Sequence, residues 1–228
     1  MTPPADQPDS PAAASVPVAD APEKRPRGRP RKTVDERDDG NRRRELIQAA
    51  ARLFRRKGFD ATSTRDIAAA VGMRSGSPFY HFKSKGALLY AVMDEGMREA
   101  IAQQREALDA VRHLPDAEAQ LRVLIRKHFD VLLGPGNDFI PVMLYESRSI
   151  TQRQRTQLAM LQGEYESVWM PVLQALHAGG RIRADVKLTR LLMFGALNWS
   201  VQWFDRRRGA SLDELTHAAL LLFLQEIR

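Results

Sequence analysis

The chain of 228 residues carries a net charge of +7 and contains no cysteine, which excludes disulfides, thiolate metal sites and cysteine nucleophiles. Apolar residues make up 43% and charged residues 28%, a balance typical of a globular protein with a buried core. The longest stretch without a charged side chain, 14 residues over 191–204, is too short to span a bilayer. The N-terminus has no signal-peptide pattern, so we expect a cytoplasmic protein.

Residues 1–40 hold 8 of the 13 prolines and very few large apolar side chains. Such a segment cannot bury enough surface to offset its ordering entropy, so we predict a disordered tail. Within it, the motif Arg27-Gly28-Arg29-Pro30 resembles an AT-hook core. Arg27 and Arg29 would then lie along an A·T minor groove. The alternative is a basic tail that binds any phosphate backbone.

The positive charge is concentrated in one part of the chain. Residues 1–23 carry a net charge of −4, residues 24–85 carry +11, and residues 86–228 are balanced. A basic segment beside a neutral body favours a polyanionic partner, and nucleic acid is the commonest one. A solvated basic face without a partner is the alternative.

Helical periodicity begins near Arg42, with an apolar stripe that includes Leu46 and Leu53. A second helix is predicted over 61–72, where Ser63 and Asp66 have the spacing of a capping box. A third is predicted over 75–82. Three helices with a short glycine-containing turn before the last are typical of a helix-turn-helix domain, which we place at 41–88.

The remaining body, residues 89–228, also has helical periodicity and no sustained alternating pattern. We therefore predict an all-α fold of nine helices, with a kink at Pro171. The six predicted helices after the helix-turn-helix domain cover 85–112, 116–133, 139–148, 151–178, 186–207 and 211–227.

The last two predicted helices carry more apolar surface than one core face needs. Residues 218–224 are apolar on every side of the helix, and helix 186–207 has two apolar stripes. A helix that is apolar all round must be buried all round, so we predict a homodimer. A monomer with a central terminal helix is the alternative. The residues predicted at the interface are Phe194, Leu197, Val201, Phe204, Leu221 and Phe223.

The sequence contains no pattern typical of an active site. Its five histidines lack metal-ligand spacing, no glycine loop has the lysine that binds phosphate, and no nucleophile elbow is present. We therefore expect no enzyme activity, no metal and no cofactor.

The N-terminal domain resembles the DNA-binding domain of the TetR/AcrR family of bacterial transcription regulators. The matching segments are residues 44–54, 57–59, 62–68, 71–72 and 80–85, with Leu88. The resemblance implies a homodimer that binds a double-stranded DNA operator and carries a larger helical domain for a small-molecule effector. The matched positions imply DNA contacts by Thr64, Arg65, Ser75, Ser77, Tyr80, His81 and Lys85. Arg74 stands where the family usually has serine, and we expect it to add a charge contact.

Residues 195–204, with the segment that follows, loosely resemble the branch of the family that senses acyl-CoA thioesters in lipid or steroid degradation. This implies a hydrophobic effector, with a small polar effector as the alternative. The bulky residues expected near its pocket are Phe129, Met143, Tyr145, Trp169, Met170 and Phe194. We therefore predict a ligand-responsive repressor that an effector releases from its operator. An activator, or an architectural DNA-binding protein without an effector, is the alternative.

Overall fold

The computed structural model describes residues 34–73, 78–114, 116–136 and 138–225, and in these ranges it contains helices and no strand. This confirms the predicted all-α class. None of the described helices is long and apolar enough to cross a membrane. The described residues form ten α-helices, which are α1 (Val34–Lys57), α2 (Thr64–Ala70), α3 (Pro78–His81), α4 (Lys85–Val111), α5 (Ala117–Leu133), α6 (Phe139–Glu146), α7 (Gln152–Ser167), α8 (Met170–Ala178), α9 (Val186–Trp203) and α10 (Leu212–Phe223).

Helix α1 begins at Val34, earlier than the start predicted near Arg42, so it overlaps the segment predicted to be disordered. The physical reason lies in the sequence at 35–39, which is mostly acidic. Acidic residues stabilise a helix N-terminus through its dipole, and this signal does not require an apolar face.

The capping box predicted for α2 is present. The Asp66 amide donates to Ser63 Oγ over 3.1 Å, and the Ser63 amide donates to the Asp66 carboxylate over 2.9 Å. Behind this cap, Leu46 and Phe54 of α1 and Ile67 of α2 are fully buried in one core. Local capping and shared burial together set the position of α2 on α1.

Helix α4 is the central element of the body, where it packs against α1, α5, α6 and α7. Its contact with α6 depends on Gly96, because a Cβ atom at that position would overlap the Phe139 side chain. The glycine therefore lets α6 lie directly against α4.

The predicted kink at Pro171 is a complete break. Helix α7 ends at Ser167 and α8 begins at Met170, so the proline lies in the first turn of a new helix. Proline is tolerated in a first turn because the amide there has no intrahelical acceptor, whereas in a helix interior it removes a bond and causes a clash. Helix α9 likewise ends at Trp203 instead of 207, and the Asp205 side chain caps a separate 3₁₀ turn at 206–208.

Candidate nucleic-acid interface and ligand pocket

The surface formed by α2 and α3 presents polar side chains to solvent. Arg65 is exposed, Thr64 is half-buried at the first residue of α2, and Tyr80 of α3 is 91% exposed. The His81 ring stands edge-on to Tyr80, with ring centroids 6.2 Å apart. A tyrosine this exposed contributes little to the core, and its ring and hydroxyl are free to meet another molecule.

Lys85, predicted to contact phosphate, also makes contacts within the domain. Its Nζ atom donates to the backbone oxygens of Phe59 and Thr62, over 2.8 and 2.9 Å, and lies 4.2 Å from the centre of the Phe59 ring. The amino group thus ties the loop between α1 and α2 to the start of α4. The sequence alone does not reveal these two hydrogen bonds, because the carbonyl groups come within reach of Lys85 only in the folded domain.

Five of the predicted DNA-contacting residues lie outside the described parts of the chain. They are Arg27, Arg29, Arg74, Ser75 and Ser77.

A small pocket of about 40 Å³ lies between α4, α5, α6, α7 and α9, and the empty space reaches about 420 Å³ only when its open mouth is included. Most of its wall is apolar, and its polar side chains come from α5, α7 and α9. The lining residues are Met97, His128, Val131, Leu132, Ile140, Met143, Leu144, Gln162, Tyr165, Glu166, Phe194 and Asn198. An apolar cavity with a few convergent polar groups is the usual form of a small-molecule site.

Of the residues predicted near an effector, Met143 and Phe194 line this pocket and the others do not. Phe129 and Trp169 are buried in the core, and Tyr145 is exposed and hydrogen-bonded to Gln202. Met170 is half-buried outside the lining. Size and aromatic character predicted these residues poorly, because both are equally typical of plain core.

The sequence analysis did not single out the polar side chains of the pocket, which are His128, Gln162, Tyr165, Glu166 and Asn198. A signal for His128 was present in the sequence. It lies in line with the buried Leu121, Leu124 and Leu132 of α5, and a histidine within an apolar stripe is unusual.

His128 belongs to a buried chain of hydrogen bonds. The first bond joins Trp169 Nε1 to Gln104 Oε1, which are 2.6 Å apart. The second joins Gln104 Nε2 to Tyr165 Oη over 2.5 Å, and the third joins Tyr165 Oη to His128 Nδ1 over 2.8 Å. Desolvation of the buried imidazole lowers the pKa of His128 to about 4, although Asn198 acts in the opposite direction. Burial likewise raises the pKa of the Tyr165 phenol. Both side chains are therefore neutral at pH 7.

We expect His128 to make the protein less stable in acid. Between pH 6.5 and pH 4 the unfolded histidine takes up a proton that the native one does not, so stability falls as the pH drops through this window. The loss reaches about 3 kcal/mol near pH 4 and does not grow further below that pH. Urea unfolding from pH 7 to pH 4 should show a steeper decline for the wild type than for His128→Phe. Parallel pH profiles would contradict the buried neutral histidine.

Helix α6 joins this pocket to the DNA-binding domain. Ile140, Met143 and Leu144 line the pocket, whereas the two ends of the helix contact the other domain. At its start, the Asp138 carboxylate accepts a hydrogen bond from Arg55 of α1 over 2.9 Å. At its end, the Glu146 carboxylate accepts one from the Phe59 amide, also over 2.9 Å. A displacement of α6 by a ligand would act directly on both contacts.

The outer faces of α9 and α10 form an exposed apolar surface, which we call the α9–α10 face. On α9 the exposed positions recur every three or four residues, as one side of a helix does. The large side chains of this face are Leu188, Leu191, Leu192, Trp199 and Trp203 of α9 and Leu221 and Leu222 of α10. Large apolar side chains exposed in this number are typical of an interaction surface.

The residues predicted at a dimer interface belong mostly to the opposite stripe. Phe194 and Leu197 are buried in the chain's own core, and Val201, Phe204 and Phe223 are half-buried against it. Leu221 does lie on the α9–α10 face. Both stripes of α9 are apolar, so the sequence could not distinguish the stripe that packs inward from the one left exposed.

Comparison with known proteins agrees with this architecture. The family model for bacterial regulatory proteins of the TetR family matches residues 46–92, and the model for the C-terminal domain of tetracycline-repressor-like proteins matches residues 115–227. The chain belongs to the TetR family. As predicted, it is a DNA-binding transcription regulator with an N-terminal helix-turn-helix domain and a larger helical domain.

Three known proteins are similar to this chain over most of its length. The transcriptional repressor KstR2 of Rhodococcus jostii is 27% identical over 186 residues, which cover 80% of this chain and 89% of KstR2. The structure of the superantigen PfiT is 39% identical, with a TM-score of 0.68 and coverage of 81% of this chain and 97% of PfiT. The structure of AibR with isovaleryl coenzyme A and operator DNA is 22% identical and shares the fold, with a TM-score of 0.71 and coverage of 80% and 97%.

Proposed function

We propose that this protein is a homodimeric repressor that binds its operator through α2 and α3 and leaves it when a hydrophobic ligand fills the pocket. The observation that carries this proposal is the position of α6, which forms one wall of the pocket and contacts the DNA-binding domain at both ends. A ligand that favours another position of α6 favours another position of α1 and of the DNA-binding helices packed on it. An activator with the same switch is the alternative.

The similar proteins support both molecules that this proposal requires, the operator DNA and the small-molecule effector. KstR2 is a transcriptional repressor, and AibR has been crystallised with both an acyl-CoA and operator DNA. The mostly apolar lining of the pocket described here fits the acyl part of such a molecule. We therefore propose an acyl-CoA or a related apolar metabolite as the effector.

The α9–α10 face supports the dimer. Leaving seven large apolar side chains of this face in water would be unfavourable, and a two-fold axis through the face would bury each set against its copy. The two α3 helices would then enter successive major grooves about 34–36 Å apart. A ligand that changes this separation weakens binding to both half-sites at once.

We expect Tyr80→Ala and Arg65→Ala each to weaken operator binding by about 1–3 kcal/mol, the value of one good base or phosphate contact. Both side chains are exposed, so the variants should unfold at the same temperature as the wild type. Affinity is measured by fluorescence anisotropy on an operator selected from random DNA.

A suitable control for this pair is Arg112→Ala. Arg112 caps the far end of the 27-residue helix α4, about 40 Å from the helix start beside the DNA-binding domain, and should not affect affinity. If Tyr80→Ala and Arg65→Ala bind the operator as tightly as this control, α2 and α3 do not form the DNA-binding surface.

A further inference from the structure

The buried hydrogen-bond chain that ends at His128 has a defined direction. Trp169 Nε1 can only donate, so the Gln104 atom that faces it must be the carbonyl oxygen. The amide nitrogen of Gln104 therefore faces Tyr165 and donates to its oxygen. Among the described residues, the other partner of Tyr165 Oη is His128 Nδ1, so the buried hydroxyl proton is paired only if it is directed to Nδ1.

This direction fixes the tautomer of His128. The neutral imidazole accepts at Nδ1, so its proton is on Nε2. His128 lines the pocket, and Nε2 is buried without a hydrogen-bond partner among the described residues. A side-chain hydrogen bond with Asn198 raises the pKa of the ring, but the geometry of this contact leaves Nε2 without a well-formed hydrogen bond. Among the described residues, the pocket lining thus includes a buried N–H donor that lacks an acceptor, an arrangement that favours any ligand able to supply one.

The surrounding charges restrict the kind of acceptor. Glu166 is the acidic side chain of the lining, and it is paired with Arg190. A ligand carboxylate beside His128 would meet a neutral ring and no free cation among the lining residues, so its charge would be buried without compensation. A neutral carbonyl oxygen accepts the same hydrogen bond without this penalty.

We propose that His128 Nε2 donates a hydrogen bond to a neutral carbonyl oxygen of the effector, and that this bond selects thioesters or ketones over hydrocarbons, amines and free acids. The inference rests on the proposed function, since it assigns the polar subsite of the same pocket. The apolar remainder of the ligand would lie against Met97, Ile140 and Phe194. A site built around a donor rejects analogues without an acceptor, because they leave the donor unpaired.

The tautomer can be tested without any ligand. In full-length protein labelled with ¹⁵N-histidine, we expect His128 at pH 7 to show a protonated Nε2 and an unprotonated Nδ1, with the signal assigned by its loss in His128→Phe. Tyr165→Phe removes the donor to Nδ1 and should reduce this preference. Tyr90→Phe is the matched control, because the Tyr90 hydroxyl bonds to Asp94 and is not part of the chain. A protonated Nδ1 in the wild type would overturn the inference.

The ligand preference is tested with matched pairs of compounds. Isovaleryl-CoA is compared with the thioether in which a CH₂ group replaces its carbonyl, and 2-decanone is compared with 2-methyl-1-decene. By calorimetry we expect each carbonyl compound to bind the wild type about tenfold more tightly than its partner, the value of one buried hydrogen bond. His128→Phe should reduce the ratio to within about twofold, and Tyr165→Phe should give an intermediate ratio.

The possible failures are distinguishable from each other. Equal binding within both pairs, tighter binding of free isovalerate, or no binding by any of these compounds overturns the carbonyl subsite. The proposed function is judged separately, from operator release. A protein that is released by some other ligand is still a ligand-responsive repressor.

Discussion

Leu222→Glu is expected to convert the dimer into a folded monomer that has lost most of its operator affinity. The side chain is 82% exposed in the single chain, so a charge there leaves the monomer undisturbed. In a two-fold interface the same charge is buried without a partner in both copies, at several kcal/mol each. A monomer reaches one half-site and loses half of the specific binding free energy, so affinity should fall by about 30- to 3,000-fold.

Light scattering after size-exclusion chromatography measures the mass, and fluorescence anisotropy measures the affinity. The control is Met160→Glu, which places the same charge at a 72% exposed apolar residue of α7 that is not one of the residues of the α9–α10 face. It should remain dimeric and bind DNA normally. A dimeric Leu222→Glu protein would place the interface elsewhere.

Deletion of residues 1–33 is expected to weaken operator binding strongly at low salt and much less at high salt. The segment 24–32 carries six positive charges. If all six neutralised phosphates, the slope of log affinity against log salt would change by about 5, and partial engagement should give a change of about 2–4. The preferred operator sequence should not change, because phosphate contacts carry no direct sequence information.

Two comparisons distinguish an AT-hook from a general basic tail. A hook predicts a larger loss when A·T-rich DNA flanks the operator, because a narrow minor groove accommodates Arg27-Gly28-Arg29-Pro30. The double variant Arg27→Lys and Arg29→Lys keeps the charge, so it should preserve the salt slope in either case and lose the A·T preference if the hook is real. A deletion that leaves the salt slope unchanged would show that the tail does not contact DNA.

The parts of the fold that the sequence predicted well depend on neighbouring residues. The capping box predicted at Ser63–Asp66 is present, and it needs contacts across only three residues. The family resemblance, which depends on a long ordered pattern, also gave the correct class of protein.

The features that the sequence did not predict depend on contacts between distant parts of the chain. The choice of the inward stripe of α9 is set by packing on α5 and α8, and no residue within α9 reveals it. Lys85 meets carbonyl groups more than twenty residues away in sequence. The chain of hydrogen bonds behind His128 joins α4, α5, α7 and the Trp169 side chain, so its direction is defined only by the three-dimensional arrangement.

The central claim is that filling the pocket releases the protein from DNA. Its most direct test is the affinity of the full-length dimer for its selected operator, measured by anisotropy with and without a series of acyl-CoA thioesters at saturating concentration. Calorimetry on the same samples establishes which of them bind. A coupling of about 1–3 kcal/mol between the two sites predicts a 5- to 150-fold loss of operator affinity with a thioester that binds. An operator affinity that stays unchanged while a thioester demonstrably occupies the pocket would contradict the claim.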